Sequence, residues 1–326
     1  MRDRLSVTIF AVFVAVCLLG CGVIYVFSPD HDVTLSKNPD GSVTFEIDGI
    51  LPESYSYMVL EDVHVYDSIY YYSDGNYPVI DDYSQYEVDL LFDTLDRMMD
   101  SRGYTSFKKV DAAELSYVLS NTSCAGDAAI MIPTGALPDT VQMGNDRSML
   151  DAWLSAGGSM YWMGGNPCKY YSTSSGIMES DNGMFDDYLF NTKRSDKGAT
   201  ECSPIASGFG FAYSAIDDAI SVNAPDSKVI GLYDEEFSSL SEVSLPSGGT
   251  VYIFGGGPAS ISFEQVSAFA DMLVCGVTGD TVVKEKICGQ KGYGDLRSTI
   301  NPIMSGDILF LRVGSPNTDY GSVILL

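Results

Sequence analysis

Leu5 to Phe27 is a stretch of 23 mostly apolar residues without a charge, preceded by Arg2 and Arg4 and followed by Ser28, Pro29 and Asp30. As a helix rising about 1.5 Å per residue it would reach roughly 35 Å, enough to cross a hydrocarbon core about 30 Å thick. The pattern predicts a membrane anchor covering residues 1–27 with its cytoplasmic tip. The two arginines predict a cytoplasmic N-terminus, with the rest of the chain extracytoplasmic in a single-pass arrangement at the cell membrane. A cleaved signal peptide would have a shorter apolar core of about 7 to 15 residues and a small-residue cleavage site. Leu18-Leu19-Gly20-Cys21 has the form of a lipobox, but Gly22 to Phe27 continues apolar where lipoproteins turn polar.

After the anchor the pattern becomes short and alternating. Val33 to Ser36, a turn at Pro39-Asp40-Gly41, and Val43 to Ile47 predict a hairpin, followed by a strand from Tyr55 to Leu60. From residue 65 strands alternate with helices. Ser68 to Tyr72 reads as a strand, and Ser84 with Glu87 forms a capping box for a helix carrying Val88, Leu91, Phe92, Leu95 and Met99 at helical spacing. Phe107 to Val110 is the next strand. Asp111 and Glu114 cap a second helix, Ala128 to Ile132 is a buried strand, Met149 to Ser155 a helix, and Met160 to Met163 a strand. A polar, Gly- and Ser-rich insertion spans residues 164–207, with one predicted helix near Met184 to Phe190. Strands at Val229 to Tyr233 and Val251 to Phe254 follow, then a helix capped by Ser262 and Gln265. The pattern predicts an α/β domain over residues 65–279, a mostly parallel sheet with helices on both faces. Residues 28–64 and 280–326 are expected to form a small β module near the membrane.

Charge narrows the partners. The chain has 44 acidic and 18 basic side chains; removing Asp3, Arg2 and Arg4 leaves 43 against 16, a net charge of −27 outside the membrane. Phosphate backbones are bound by clustered Lys and Arg, so nucleic acid is excluded as a partner. The pairs Asp81-Asp82, Asp186-Asp187 and Asp217-Asp218 and the run Asp234-Glu235-Glu236 lack the alternating ligands and central Gly of a calcium loop, so no metal and no cofactor is expected. Five cysteines lie beyond the anchor. Cys168 with Cys202 and Cys275 with Cys288 are candidate disulfides by position, Cys124 being left over, while connectivity is not fixed by sequence. Asn121-Thr122-Ser123 is a glycosylation sequon.

Three predicted strands end in glycine or small polar residues: Pro133-Thr134-Gly135, Gly164-Gly165-Asn166 and Gly255-Gly256-Gly257. In open α/β sheets ligands bind beyond the carboxyl ends of the strands, where glycines let backbone amides approach. Asp74 and Asn76, after the first strand, should reach the same edge. The candidate ligand-binding set is therefore Asp74, Asn76, Thr134, Gly135, Gly165, Asn166, Gly255 and Gly256. Tight turns between strand and helix would use the same glycines without any ligand.

The segment Ile130-Met131-Ile132-Pro133-Thr134-Gly135, followed by Leu150-Asp151-Ala152-Trp153-Leu154-Ser155-Ala156-Gly157-Gly158, resembles the class I glutamine amidotransferase-like fold in its non-catalytic extracytoplasmic branches. Those branches include trehalose-utilisation-type domains and auxiliary domains of some ABC transporters and gliding-motility proteins. The resemblance covers roughly residues 65–165 and 229–276 and implies a flavodoxin/amidotransferase-like sheet. Catalysis in that family needs a cysteine on a sharp turn directly after a strand, with a His and an acid to activate it. Here Cys168 falls several residues late, and the only histidines, His31 and His64, precede the first helix. No catalytic residue is assigned. The expected function is a membrane-anchored binding or scaffolding module contacting a membrane protein or cell-surface polymer. The alternatives are a glycan hydrolase using paired carboxylates, with Asp74 as its first candidate, or an envelope structural protein. Deleting Ser172 to Lys197 should abolish partner association without unfolding the sheet if the insertion is a binding surface, and unfold it if the insertion is structural.

Overall fold

The computed structural model describes residues 24–27, 32–40, 42–48, 50–51, 55–60, 65–80, 83–186, 192–194, 201–202, 218–220, 227–232, 238–261, 263–276, 282–287, 292–293, 296–300, 308–315 and 318–325. The chain divides into two compact units: residues 63–279, and residues 1–62 together with 280–326.

The first unit is built on a ten-stranded sheet. Five strands are mutually parallel: β1 (Ser68–Tyr72), β2 (Phe107–Val110), β3 (Ala128–Ile132), β4 (Ser159–Met163) and β5 (Thr250–Phe254), in the order β2-β1-β3-β4-β5. Beyond β5 the sheet turns antiparallel through Ser238–Ser244, which carries Asp218–Ile220 and Ser227–Leu232. The predicted parallel α/β sheet is thus present, extended by an antiparallel half.

Both helix caps form as their sequences dictate. α1 (Gln85–Ser101) begins at a complete Ser84/Glu87 capping box, and α2 (Ala112–Ser120) at a complete Asp111/Glu114 box. α1 buries Val88, Leu91, Leu95 and Met99, while α2 buries Leu115 and Leu119. Alternate residues of the strands divide between two cores. Tyr72, Ile130, Ile132, Met160, Trp162, Val251 and Ile253 pack with α2 and with Leu150, Trp153 and Leu154 of α3 (Ser148–Ser155). On the opposite face Tyr71 donates to the carbonyl of Val88 (2.7 Å), and Tyr161 stacks on Tyr252 at 4.3 Å. Phe269 of α4 (Phe263–Cys275) meets Tyr161 and Phe254 edge-on. The last turn of α1 is tied to α4 by a buried ion pair between Arg102 and Asp271, each 2 % exposed.

Within the insertion, Tyr170–Thr173 and Gly176–Glu179 form a hairpin whose first strand pairs in parallel with Leu137–Pro138. The helix expected near Met184 to Phe190 does not begin there. Met184 to Asp186 form a turn with Phe185 buried in the core, and 187–190 lie outside the described residues.

The elements of the second unit among the described residues are all strands. Asp32–Lys37 pairs with Val43–Asp48, and that strand with Leu296–Ile300. A five-stranded antiparallel sheet runs in the order Ile24–Phe27, Thr318–Leu325, Ile308–Ser315, Tyr55–Leu60, Val282–Ile287. The apolar run is therefore not helical to its end: Ile24 to Phe27 pair as a strand with Ser322 to Leu325. Their β-branched and aromatic residues suit a pleated strand. The remaining stretch from Leu5 to Val23 lies outside the described residues. Among the described residues no helix is long and apolar enough to cross a membrane.

Candidate functional site

The strand order reverses between β1 and β3, since β2 lies outside β1 and β4 outside β3. Such a switch point leaves a crevice beyond the carboxyl ends of the two strands, and this is where open α/β sheets hold ligands. The residues there belong to the sequence-derived set, but a segment of the chain itself lies across them.

That segment runs from Tyr77 to Tyr83 between β1 and α1, its residues 81–82 lying outside the described ones. Tyr77 Oη donates to Asp139 Oδ1 (2.9 Å), fastening it to the loop after β3. The Ile80 amide donates to the carbonyl of Thr134 (3.2 Å). Gly135 takes a left-handed φ of +68°, and a Cβ there would stand 2.4 Å from Ile80 Cδ1. The ring of Tyr83 then seats on two further strand ends. A Cβ on Gly164, after β4, would lie 2.1 Å from Tyr83 Oη, and one on Gly257, after β5, 2.0 Å from Tyr83 Cε1. The missing Cβ atoms make room for the chain's own side chains.

The polar candidates are engaged locally. Asp74 Oδ1 accepts from the amide and the Nδ2 of Asn76, both at 2.9 Å. Its Oδ2 accepts from the Ala112 amide (3.2 Å) at the first turn of α2, where the helix dipole favours a carboxylate. Asn76 is exposed. Thr134 is 3 % exposed and donates to the carbonyl of Ala136 (2.7 Å). Asn166 accepts from the Phe185 amide (3.3 Å) and donates to Asp186, holding the start of the insertion. Gly255 and Gly256 are buried, and Gly165 is half-buried with open space where a Cβ would be. The set thus splits between α2's N-terminus, the covered ends of β3 and β5, and the insertion.

Cys168 has a left-handed φ of 63°, the one non-glycine residue with positive φ among the described residues. It is fully buried, and burial pushes its thiol up to about 12. A thiol held protonated in this way is not a nucleophile at neutral pH. Its carbonyl accepts from Gln142 Nε2 (2.8 Å), so the turn is pinned from the backbone. Cys275 is also buried, and its thiol is pushed well up by burial and then by Asp271. Both are free cysteines, so the expected Cys168–Cys202 and Cys275–Cys288 disulfides are not formed. Each thiol instead packs as a small apolar group in the core. Cys202 ends a short strand, and Cys288 lies outside the described residues, as do His31 and His64.

Asn121 is exposed at the end of α2, its Oδ1 accepting from Ser123 Oγ (2.7 Å), beside the exposed free Cys124. Among the described residues no three His, Cys, Asp or Glu side chains are grouped so as to hold a metal ion. One feature not foreseen from sequence is the network around Ser73. It donates to Asp89 Oδ1 (2.8 Å), accepts from Gln85 Nε2 (2.7 Å), and Asp89 pairs with Lys109 at 2.6 Å. It ties β1, β2 and the start of α1 together. No family model matches the chain, and no curated protein matches it.

Proposed function

We propose that this protein is a membrane-anchored extracytoplasmic binding or scaffolding module whose α/β unit is a degenerate, non-catalytic member of the amidotransferase-like fold. The observation that carries the reading is the occupied sheet edge: Ile80 and Tyr83 fill the space beside Gly135, Gly164 and Gly257 where a substrate would approach. The order 2-1-3-4-5 of the parallel strands agrees with the flavodoxin-like arrangement that the resemblance implies. The anchor rests on the apolar run, of which Leu5 to Val23, 19 residues, remain for a helix of roughly 28 Å.

A carboxylate-dependent glycan hydrolase needs two carboxyl groups about 5 to 10 Å apart across a site open to sugar and water. Asp74, its first candidate, is bonded to Asn76 and the start of α2 instead. Purification of the full chain from its native membrane in mild detergent, after cross-linking and with mass spectrometry, tests the proposal. A stoichiometric membrane protein or surface polymer linked to residues 63–279 is the expected result. Recovery of the protein alone, together with turnover of a glycan, would overturn it.

A further inference from the structure

The hairpin of the insertion belongs to a three-stranded sheet in the order Gly176–Glu179, Tyr170–Thr173, Leu137–Pro138, which makes Gly176–Glu179 an edge strand. The Ser180 amide donates to the Lys169 carbonyl (2.9 Å), and this bond fixes the phase of the ladder. Backbone bonds of an antiparallel pair recur at every second residue. Gly176 and Met178 therefore bond inward to the hairpin partner, while the N–H and C=O groups of Ile177 and Glu179 point away from it in the plane of the sheet. Among the described residues neither takes a backbone partner on that side.

Edge strands are ordinarily guarded by charge, by proline or by a covering element. Here an apolar row runs out to the rim instead. Buried Leu137 stands beside half-buried Tyr171, and Tyr171 beside Met178, which is 47 % exposed. Methionine adapts its shape to a neighbour and makes favourable contacts with aromatic rings. The one carboxylate of the edge strand, Glu179, is paired with Lys169 at 3.4 Å.

We infer that this edge pairs with the same edge of a second copy of the chain, antiparallel about a two-fold axis at Met178. Only residues with outward backbone groups exchange bonds across such a contact, so the axis falls at 177, 178 or 179. An axis at Glu179 sets two carboxylates directly opposite each other, which is destabilising. An axis at Ile177 sets Glu179 opposite Ser175 in the hairpin turn and leaves its outward groups off the ladder. With the axis at Met178, Ile177 of each copy lies opposite Glu179 of the other, and all four outward groups of each copy are bonded. Met178 then meets Met178, and the apolar row continues unbroken through six strands. The edge is thus its own complement in backbone phase, charge and side-chain row, which is the property of a self-contact that closes at the dimer. The pairing uses residues of the α/β unit alone and does not depend on an anchor.

The test uses the full chain in mild detergent. Sedimentation should show a concentration-dependent dimer. Met178→Lys sets two ammonium groups against each other at an exposed position, and should leave a monomer with the urea midpoint of the parent. In a Cys124→Ser background, Met178→Cys treated with diamide should link two copies by a disulfide, the two thiols giving their protons and electrons to the diazene. Opposed Cα atoms of a non-hydrogen-bonded pair stand about 4.5 Å apart, inside the range of about 4.4 to 6.8 Å that a disulfide spans. Peptide mapping should find residue 178 joined to residue 178, at several-fold the yield with which Ser175→Cys, at the hairpin tip, joins to itself. A monomer at every concentration, a dimer that Met178→Lys leaves intact, or equal yields for the two cysteine variants would overturn the pairing. Cross-linking in the native membrane that joins residues 176–179 to a different protein and not to a second copy would overturn it as well, and the contact role proposed above would stand.

Discussion

Replacing Gly257 with alanine is the sharpest test of whether Tyr83 fills the sheet edge. Gly257 has φ −88° and ψ −172°, a conformation open to any residue, so only sterics oppose the change. The new Cβ would stand 2.0, 2.4 and 2.5 Å from Cε1, Cζ and Cδ1 of Tyr83, against about 3.5 to 4.0 Å for carbon atoms at contact. The ring must withdraw by more than about 1 Å, and overpacking of this kind costs about 1 to 3 kcal/mol. Tyr83→Ala alone removes a half-buried ring and should cost about 2 kcal/mol, less than the 3 to 5 of a fully buried aromatic. In the Tyr83→Ala background the obstacle is gone, and Gly257→Ala should then cost close to nothing, a coupling of about 1 to 3 kcal/mol. Gly164 is the control. Its Cβ would also meet Tyr83, at 2.1 Å, but its φ of +87° leaves about 1 to 2 kcal/mol of backbone cost after the ring is removed. Trp153 and Trp162 are the chain's two tryptophans, 1 % and 0 % exposed in the same unit, so their fluorescence during urea unfolding follows it. Additive costs for Gly257→Ala and Tyr83→Ala, or equal rescue of the two glycine variants, would refute the seating.

The same assay addresses the Arg102–Asp271 pair. Asp271→Asn leaves a buried guanidinium without its carboxylate and should cost about 3 to 5 kcal/mol, whereas Arg102→Met with Asp271→Leu should stay within about 2 kcal/mol of the parent. Equal losses would show that charge is not what the helices share. Alkylation at pH 8 followed by peptide mapping should modify Cys124 in the native protein and reach Cys168 and Cys275 only after unfolding; native labelling of Cys168 would contradict its burial. Burial raises the Asp89 carboxyl, but hydrogen bonds from Lys109, Ser73 and Gln85 outweigh that and hold it below the usual range. A depressed folded value gives stability that is present above the unfolded value, about pH 4, and lost as pH falls through the folded one. The stability gap between the parent and Lys109→Met should therefore shrink in that window, and a gap independent of pH would remove Asp89 from the account. Excising Ser172 to Lys197 should unfold the α/β unit, because it removes buried Phe185 and Ser180 and Ser172, the strand residue paired with Pro138; an unchanged urea midpoint would show the insertion to be an independent appendage.

Much of the fold was legible because several signals agreed at each element. Ser84/Glu87 and Asp111/Glu114 carry their caps in the sequence, and Ala128 to Ile132 and Val251 to Phe254 are short apolar runs of the kind buried in parallel sheets. The strand Ser238–Ser244 is not legible, because only Leu240 and Val243 in it are apolar, and it is its partner β5 that holds it in the sheet. Ile24 to Phe27 read as helix for the opposite reason, though they form a strand. Hydropathy registers an apolar residue without saying whether it will pair as a strand or continue a helix, and β-branched and aromatic residues at the end of the run carried the only cue.

The candidate site was legible as a place, while what lies against its glycines was not. A glycine after a strand records that something comes closer to the backbone than a Cβ would allow, and the sequence does not state whether that is a ligand or the chain. The deciding cue lay several residues away, in Tyr77-Pro78-Val79-Ile80 and Tyr83. A loop that opens onto a ligand crevice keeps polar groups for its occupant, whereas this one spends its apolar residues on the ends of β3, β4 and β5. Asp74 shows the same ambiguity. A carboxylate after the first strand suits an acid catalyst and also suits the positive end of the helix that follows the neighbouring strand, and here the amide of Ala112 takes it. With Ile80 and Tyr83 beside the strand-end glycines and Asp74 bonded to Asn76 and Ala112, the chain itself uses groups that a small substrate would need there, and this is what supports the contact role proposed above.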